Sequence, residues 1–194
     1  MIKSALFVID FIQGIAIHGS CASYLQKHPE VIENTNTLIC TMRCAQLPIY
    51  HIRLAFDNNY HGLPKYAPIA KKIKAQHLFQ QHQSTTQFIP TINIMPTDNI
   101  INKTYGDVFH GNQLLTHLKK IAVDKIIFTG LSTDNAILNS ANTAICHDFY
   151  VTIVHDACGA PTESAHQNAL HIMQDRTASE IISTKKLLED SFNL

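Results

Sequence analysis

Neither sign of charge is in surplus in this chain. Lys+Arg and Asp+Glu both number 15, a formal net charge of zero, so the basic surface that a nucleic-acid partner needs is not signalled. No apolar run reaches the ~20 residues of a membrane-spanning helix, and no membrane partner is expected. The N-terminal stretch lacks the make-up of a secretory leader. It has a single early Lys3, and Asp10 interrupts its apolar run, so it reads as a strand. The five cysteines, Cys21, Cys40, Cys44, Cys146 and Cys158, are odd in number and contain no C-x-x-C pair. A reduced, cytoplasmic protein with buried free thiols is the expectation. The 12 histidines are scattered, with no H-E-x-x-H and no Cys/His array of zinc type, so no metal and no other cofactor is expected.

What is present is the balance of a soluble globular protein, 45% hydrophobic and 15% charged. The 194 residues suit a single domain, 1–194, with a sizeable core. Ser4 to Ile9 is a short apolar run that fits a strand buried on both faces. Asp10 then stands at its carboxyl end, the rim where open α/β sheets bind ligands. Phe11 to His28 reads as a loop. Pro29 suits a helix start, and Val31, Thr35, Leu38, Ile39 and Met42 line one helical face before Leu47-Pro48. Ile49 to Leu54 is a second strand, with His51 and Arg53 near its carboxyl end.

Ala55 to Pro96 reads as an insertion of loops with a short helix near Ile69 to Gln76, a length often used for lids. Ile100 to Lys103 ends a third strand on a lysine. Gly111 to Lys120 is predicted as a helix, Lys125 to Phe128 as a fourth strand, and Tyr150 to Val154 as a fifth. A helix over Thr162 to Gln174 capped by Thr162, a sixth strand over Ala178 to Ser183, and a helical turn or two over Lys185 to Asp190 complete the chain. Strand and helix alternate throughout, which argues for a three-layer α/β domain with a mainly parallel sheet.

The most informative stretch is Thr129 to Ala144, TGLSTDNAILNSANTA. It follows an apolar strand, and Ile137, Leu138, Ala141, Ala144 and Ile145 then recur at helical spacing. Gly130, Ser132, Thr133 and Asp134 suit a tight turn and a helix N-cap. A strand that turns sharply into a helix aims backbone N–H groups at one point, which attracts an oxygen gaining negative charge.

This stretch, followed by DFYVTIVHDAC, resembles the central signature of the isochorismatase-like cysteine hydrolases. The resemblance covers nearly the whole chain. It implies a doubly wound, six-stranded sheet, a small-molecule substrate and assembly into a homo-oligomer, dimer or tetramer. Asp10, Lys103 and Ala136 match the family's catalytic Asp, Lys and Cys in the same chain order. Taken singly, Asp10 would suit a loop cap and Lys103 a solvated strand end; the order and the signature favour a shared site. In the family a thiolate attacks a carbonyl carbon, the aspartate moves its proton, and the lysine holds the aspartate and the substrate. The resemblance also implies oxyanion donors at the backbone of Ser132 and Ala136, and a cis peptide at Leu131–Ser132.

Alanine at 136 departs from the family on the reacting atom itself. Three readings stand: an engineered Cys→Ala change, a natural chemistry without a thiol, and a loss of catalysis. The isochorismatases proper lack the cysteine, and their aspartate protonates a vinyl ether so that water completes hydrolysis. An amide-type C–N bond is the expected target if cysteine is native at 136. A vinyl ether, or mere binding on a non-catalytic scaffold, is the alternative. Cys146 lies ten residues on, about 15 Å along a helix, and cannot substitute. Cys158 reads as a small buried hydrophobe. Asp57 and His61 do not form the Asp-x-His metal motif of nicotinamidase-type relatives. His51 and Arg53 are expected to contact substrate or to close a subunit interface, and His18 and His110 to flank the pocket.

Overall fold

The structure, a computed structural model, describes residues 3–192; the outermost residues of the domain expected over 1–194 lie outside it. Six strands form one sheet: β1 (Ser4–Ile9), β2 (Ile49–Leu54), β3 (Asn99–Lys103), β4 (Lys125–Leu131), β5 (Tyr150–Gly159) and β6 (Glu180–Ile182). Their order is β3-β2-β1-β4-β5-β6, and every pairing is parallel. The chain winds outward in both directions from β1 and β4, so the crevice above those two strands is the switch point of a doubly wound sheet.

Alternation along the strands builds the layers. Leu6 and Val8 of β1 pack to one side with Leu38 and Ile39 of α3 (Glu30–Cys44), while Phe7 and Ile9 pack to the other. On that second side lie Leu114 and Leu118 of α5 (Leu114–Lys120), Ala141 and Ala144 of α6 (Leu138–Cys146), and Met173 of α7 (Glu163–Arg176). Because both faces are covered there, the central strands β1 and β4 read as near-continuous apolar runs. Phe7 anchors the second layer edge-on against Phe128 at 5.5 Å and Tyr50 at 5.3 Å, each pair contributing about 1 kcal/mol beyond its buried area. The α7 N-cap is Thr162, whose hydroxyl accepts from Ala165 N at 3.1 Å.

Several expectations are corrected. Phe11 to His28 is not a loop throughout, for it holds α1 (Gln13–Ala16) and α2 (Ala22–Lys27). These are too short to show a helical period, and they are held by tertiary packing of Ala16, Tyr24 and Leu25. β5 runs five residues beyond Val154, to Gly159, past a shift of register between Phe128 and Gly130. His155 and Asp156 interrupt the apolar run there. The helix expected from Gly111 begins only at Leu114. The insertion carries α4 (Ala70–Ala75), and α8 (Thr184–Phe192) closes the described chain. All five cysteines are free, yet only Cys21 and Cys158 are buried; Cys40, Cys44 and Cys146 lie on outer faces of α3 and α6. No helix among the described residues is long and apolar enough to cross a membrane.

Candidate active site

β1 ends in Ile9, and Asp10 follows with φ 54, a left-handed conformation that aspartate tolerates better than most side chains. The turn aims the carboxylate across the top of the sheet. Its Oδ1 accepts from Leu54 N at 2.7 Å, at the end of β2, and its Oδ2 meets Lys103 Nζ at 2.7 Å, at the end of β3. Lys103 also donates to the Tyr105 carbonyl at 2.9 Å. Three neighbouring strand ends therefore meet in one ion pair, both members of which are 2% exposed. Burial pushes the Asp10 carboxyl above its ordinary range, and the Lys103 ammonium and the Leu54 N–H oppose that rise. A carboxyl in this state is poised to hold or give a proton.

The other wall comes from β4. Gly130 has φ 120, and a Cβ there would lie 2.2 Å from the Ile9 carbonyl oxygen, so the β1–β4 junction admits only glycine without strain. The Leu131–Ser132 peptide is cis. Ser132 takes the extended N-cap conformation, but its side chain makes no cap hydrogen bond. Instead its carbonyl accepts from both Asn135 N and Ile137 N, which widens the first turn, Thr133–Ile137, into a π-helix. Such turns frequently mark functional sites. Ala136 sits in this turn, 2% exposed. The turn is braced from below by Thr133 Oγ1, 2.8 Å from His166 Nδ1, and by Ser140 Oγ, which donates to the Ala136 carbonyl at 2.6 Å and accepts from Val108 N.

Asp10, Lys103, Ser132 and Ala136 share the walls of one cavity of about 420 Å³. Its remaining wall is largely apolar and comes from α1 and the insertion, with Ile15, Phe56, Ile73 and Phe79 among the lining residues. No cysteine lines it. Cys158 is wholly buried in β5 with its thiol pushed up to about 12 by burial, and Cys146 is exposed at the end of α6.

Leu131 is fully buried in the α3-side core, behind the cis peptide. His51 and Arg53 do not line the cavity. Side chains alternate across a strand, and both turn to the side of the sheet that carries α3. There His51 Nε2 lies 3.1 Å from Asp98 Oδ2. Arg53 donates to Asn102 Oδ1 and the Thr86 carbonyl and lies over the Phe88 ring. They hold the segment between the insertion and β3, a role that a position near a strand end could not reveal. His18 lines the cavity, whereas His110 is near the Gly62 carbonyl. Asp57 and His61 pair with each other, exposed, outside the cavity wall. No cluster of three or more His, Cys, Asp or Glu side chains able to hold a metal ion occurs among the described residues.

Tyr105 and Asn135 line the cavity and His166 braces its turn, although no sequence pattern assigned them a role. Gly106 follows Tyr105, and a Cβ on it would lie 2.7 Å from Asn135 Oδ1, so the β3 loop closes onto the π turn. His166 is hidden in a polar helix, and only its contact with Thr133 distinguishes it.

Comparison with known proteins agrees with this fold. A family model described as the isochorismatase domain matches residues 4–186. An uncharacterized isochorismatase family protein, YecD of Escherichia coli O157:H7, is 25% identical over 178 residues, covering 90% of this chain and 89% of that one. A crystal structure of an isochorismatase family protein from Desulfovibrio vulgaris superposes with a TM-score of 0.85 over 100% of both chains, at 17% identity. That of a cysteine hydrolase from Pseudomonas syringae pv. phaseolicola gives 0.84 over 96% of this chain and 91% of that one, also at 17% identity.

Proposed function

The chain belongs to the isochorismatase family of hydrolases, and from that premise we propose that it hydrolyses a small polar molecule without a thiol, using Asp10 as the proton carrier. One observation carries the reading. The cavity contains a buried carboxyl held above its ordinary range and paired with Lys103, but no cysteine. A vinyl ether suits such a site. Asp10 gives its proton to the terminal vinyl carbon, leaving an oxocarbenium ion. Lys103 steadies the resulting carboxylate. Water adds to the cationic carbon and returns one proton to Asp10. The hemiketal then breaks its C–O bond to leave a carbonyl compound and an alcohol. Backbone N–H groups at Ser132 and Ala136 orient a polar oxygen of the substrate, since a helix start favours negative charge.

A second reading is favoured by the position of Ala136, which lines the cavity in the first turn beside Asp10 and Lys103. A thiol there would stand where a nucleophile is needed for an amide-type C–N bond, as the likeness to a cysteine hydrolase suggests. The experiment compares the chain with Ala136→Cys and Asp10→Asn against isochorismate, amides and carbamoyl compounds, with mass spectrometry of the protein. Vinyl-ether turnover by the unaltered chain, abolished by Asp10→Asn, is the expected result. Amide turnover and covalent labelling confined to Ala136→Cys would replace it with the amidase reading. No turnover and no ligand binding by any form would leave a scaffold.

A further inference from the structure

The reaction site accounts for the floor of the cavity but not for the charge at its open side. Asp10 and Lys103 are engaged with one another at 2.7 Å. Lys72 also lines the cavity, is exposed, and is in no ion pair among the described residues. The walls therefore carry an uncompensated positive charge.

A second observation is independent of the cavity. In a chain with no net charge, no Asp or Glu occurs between Asp57 and Asp98, whereas Lys65, Lys71, Lys72 and Lys74 all fall there. The insertion that walls the cavity is thus cationic, a segregation that concentrates anions near its surface. The third observation is the stripe that α4 and its flanks present. Ile69, Lys72, Ile73 and Gln76 follow the i, i+3, i+4, i+7 spacing of one helical face, and all four line the cavity. Ile69 remains 49% exposed, an apolar surface beside the unpaired ammonium.

We propose that the substrate is a small organic anion, with a carboxylate joined to an apolar body. The carboxylate pairs with Lys72 on the solvent side, and the body lies on Ile69, Ile73 and Phe79. The reacting group reaches Asp10 below. A single ammonium, a compact point charge, suits one carboxylate of the substrate. The assignment rests on the cavity being the hydrolytic site, but its test is a binding measurement and does not need turnover.

Calorimetry of the unaltered chain at low salt compares 4-carbamoylbenzoate with terephthalamide, which have one shape and differ by a charge. The anion should bind several-fold more tightly and lose that advantage as salt rises. Lys72→Met should weaken the anion about fivefold, the upper range for an exposed pair, and leave the neutral amide unchanged. Lys71→Met, one position away and outside the cavity wall, should weaken the anion much less than Lys72→Met does and leave the neutral amide unchanged. Equal binding of the two probes, an unchanged preference in Lys72→Met, or an equal loss in Lys71→Met would overturn the assignment. Anion preference that depends on Lys72 in a chain with no hydrolytic activity would sustain it while removing the catalytic reading.

Discussion

Asp10 and Lys103 are each 2% exposed, so water screens neither charge and each depends on the other. Removing one partner of such a buried pair costs about 3–5 kcal/mol, because the remaining charge is left uncompensated. Asp10 can escape part of that cost by taking up a proton. Burial already favours its neutral form, and losing Lys103 removes the largest influence holding that shift down. In Lys103→Met the carboxyl should therefore stay protonated to higher pH. A folded-state pKa above the unfolded value makes the native state the better proton binder, so stability falls as pH rises through that folded pKa. Thermal melts of Lys103→Met should show a larger deficit against the unaltered chain at pH 8 than at pH 5. A deficit independent of pH would mean that lysine packing, rather than its charge, carries the effect.

The working element is the junction of β4 with α6. Its sequence looks like an ordinary strand, turn and helix, but the contacts make it unusual. Ser132 accepts two N–H groups, the turn widens to a π-helix, and Gly130 brings β4 within reach of the Ile9 carbonyl. Gly130→Ala would force a side chain into φ 120 and against that carbonyl. An alanine placed where φ is positive destabilises by more than ~1 kcal/mol, and the backbone shift would also move Ser132 and Ala136. Urea unfolding should show a lower midpoint with an unchanged slope, and binding of 4-carbamoylbenzoate should weaken in the same variant. Full stability would show that β1 yields to the added methyl group.

At the scale of the whole molecule, two buried imidazoles tie distant elements together. His51 joins β2 to Asp98, which also receives Arg43 of α3 at 2.6 Å, and His166 joins α7 to the π turn. Burial holds both below their ordinary value near 6.5. Asp98 opposes this at His51, while Arg43 adds to it. At His166, Glu163 and Asp134 oppose it, and His155 and His28 add to it. With folded values below the unfolded one, the unfolded chain binds more protons, so stability is lost as pH falls below about 6.5. Asp10, raised by burial, works in the opposite sense, and the reading must be differential. The loss of urea midpoint between pH 7.5 and pH 5.5 should be smaller in His51→Gln/His166→Gln than in the unaltered chain. An equal loss in both would place the titration elsewhere.

The apolar runs of β1 and β4, the helical period of α3 and the signature around Ala136 were legible because each depends on residues close together in the chain. They determined the alternation of strand and helix, hence the parallel sheet, and β1 placed Asp10 at a strand end as the short run from Ile100 placed Lys103. Short α1 and α2 were not legible, since a helix of one turn has no period and is held by what it packs against. The fates of His51 and Arg53 were likewise undecided until alternation turned them toward α3 and away from the cavity. Only the tertiary structure brought three strand ends to one ion pair and set His166 beneath the π turn. It also folded the lysine-bearing insertion over the crevice. Those contacts join residues far apart in the chain, and a linear pattern records which side chains exist but not which ones share a space without water.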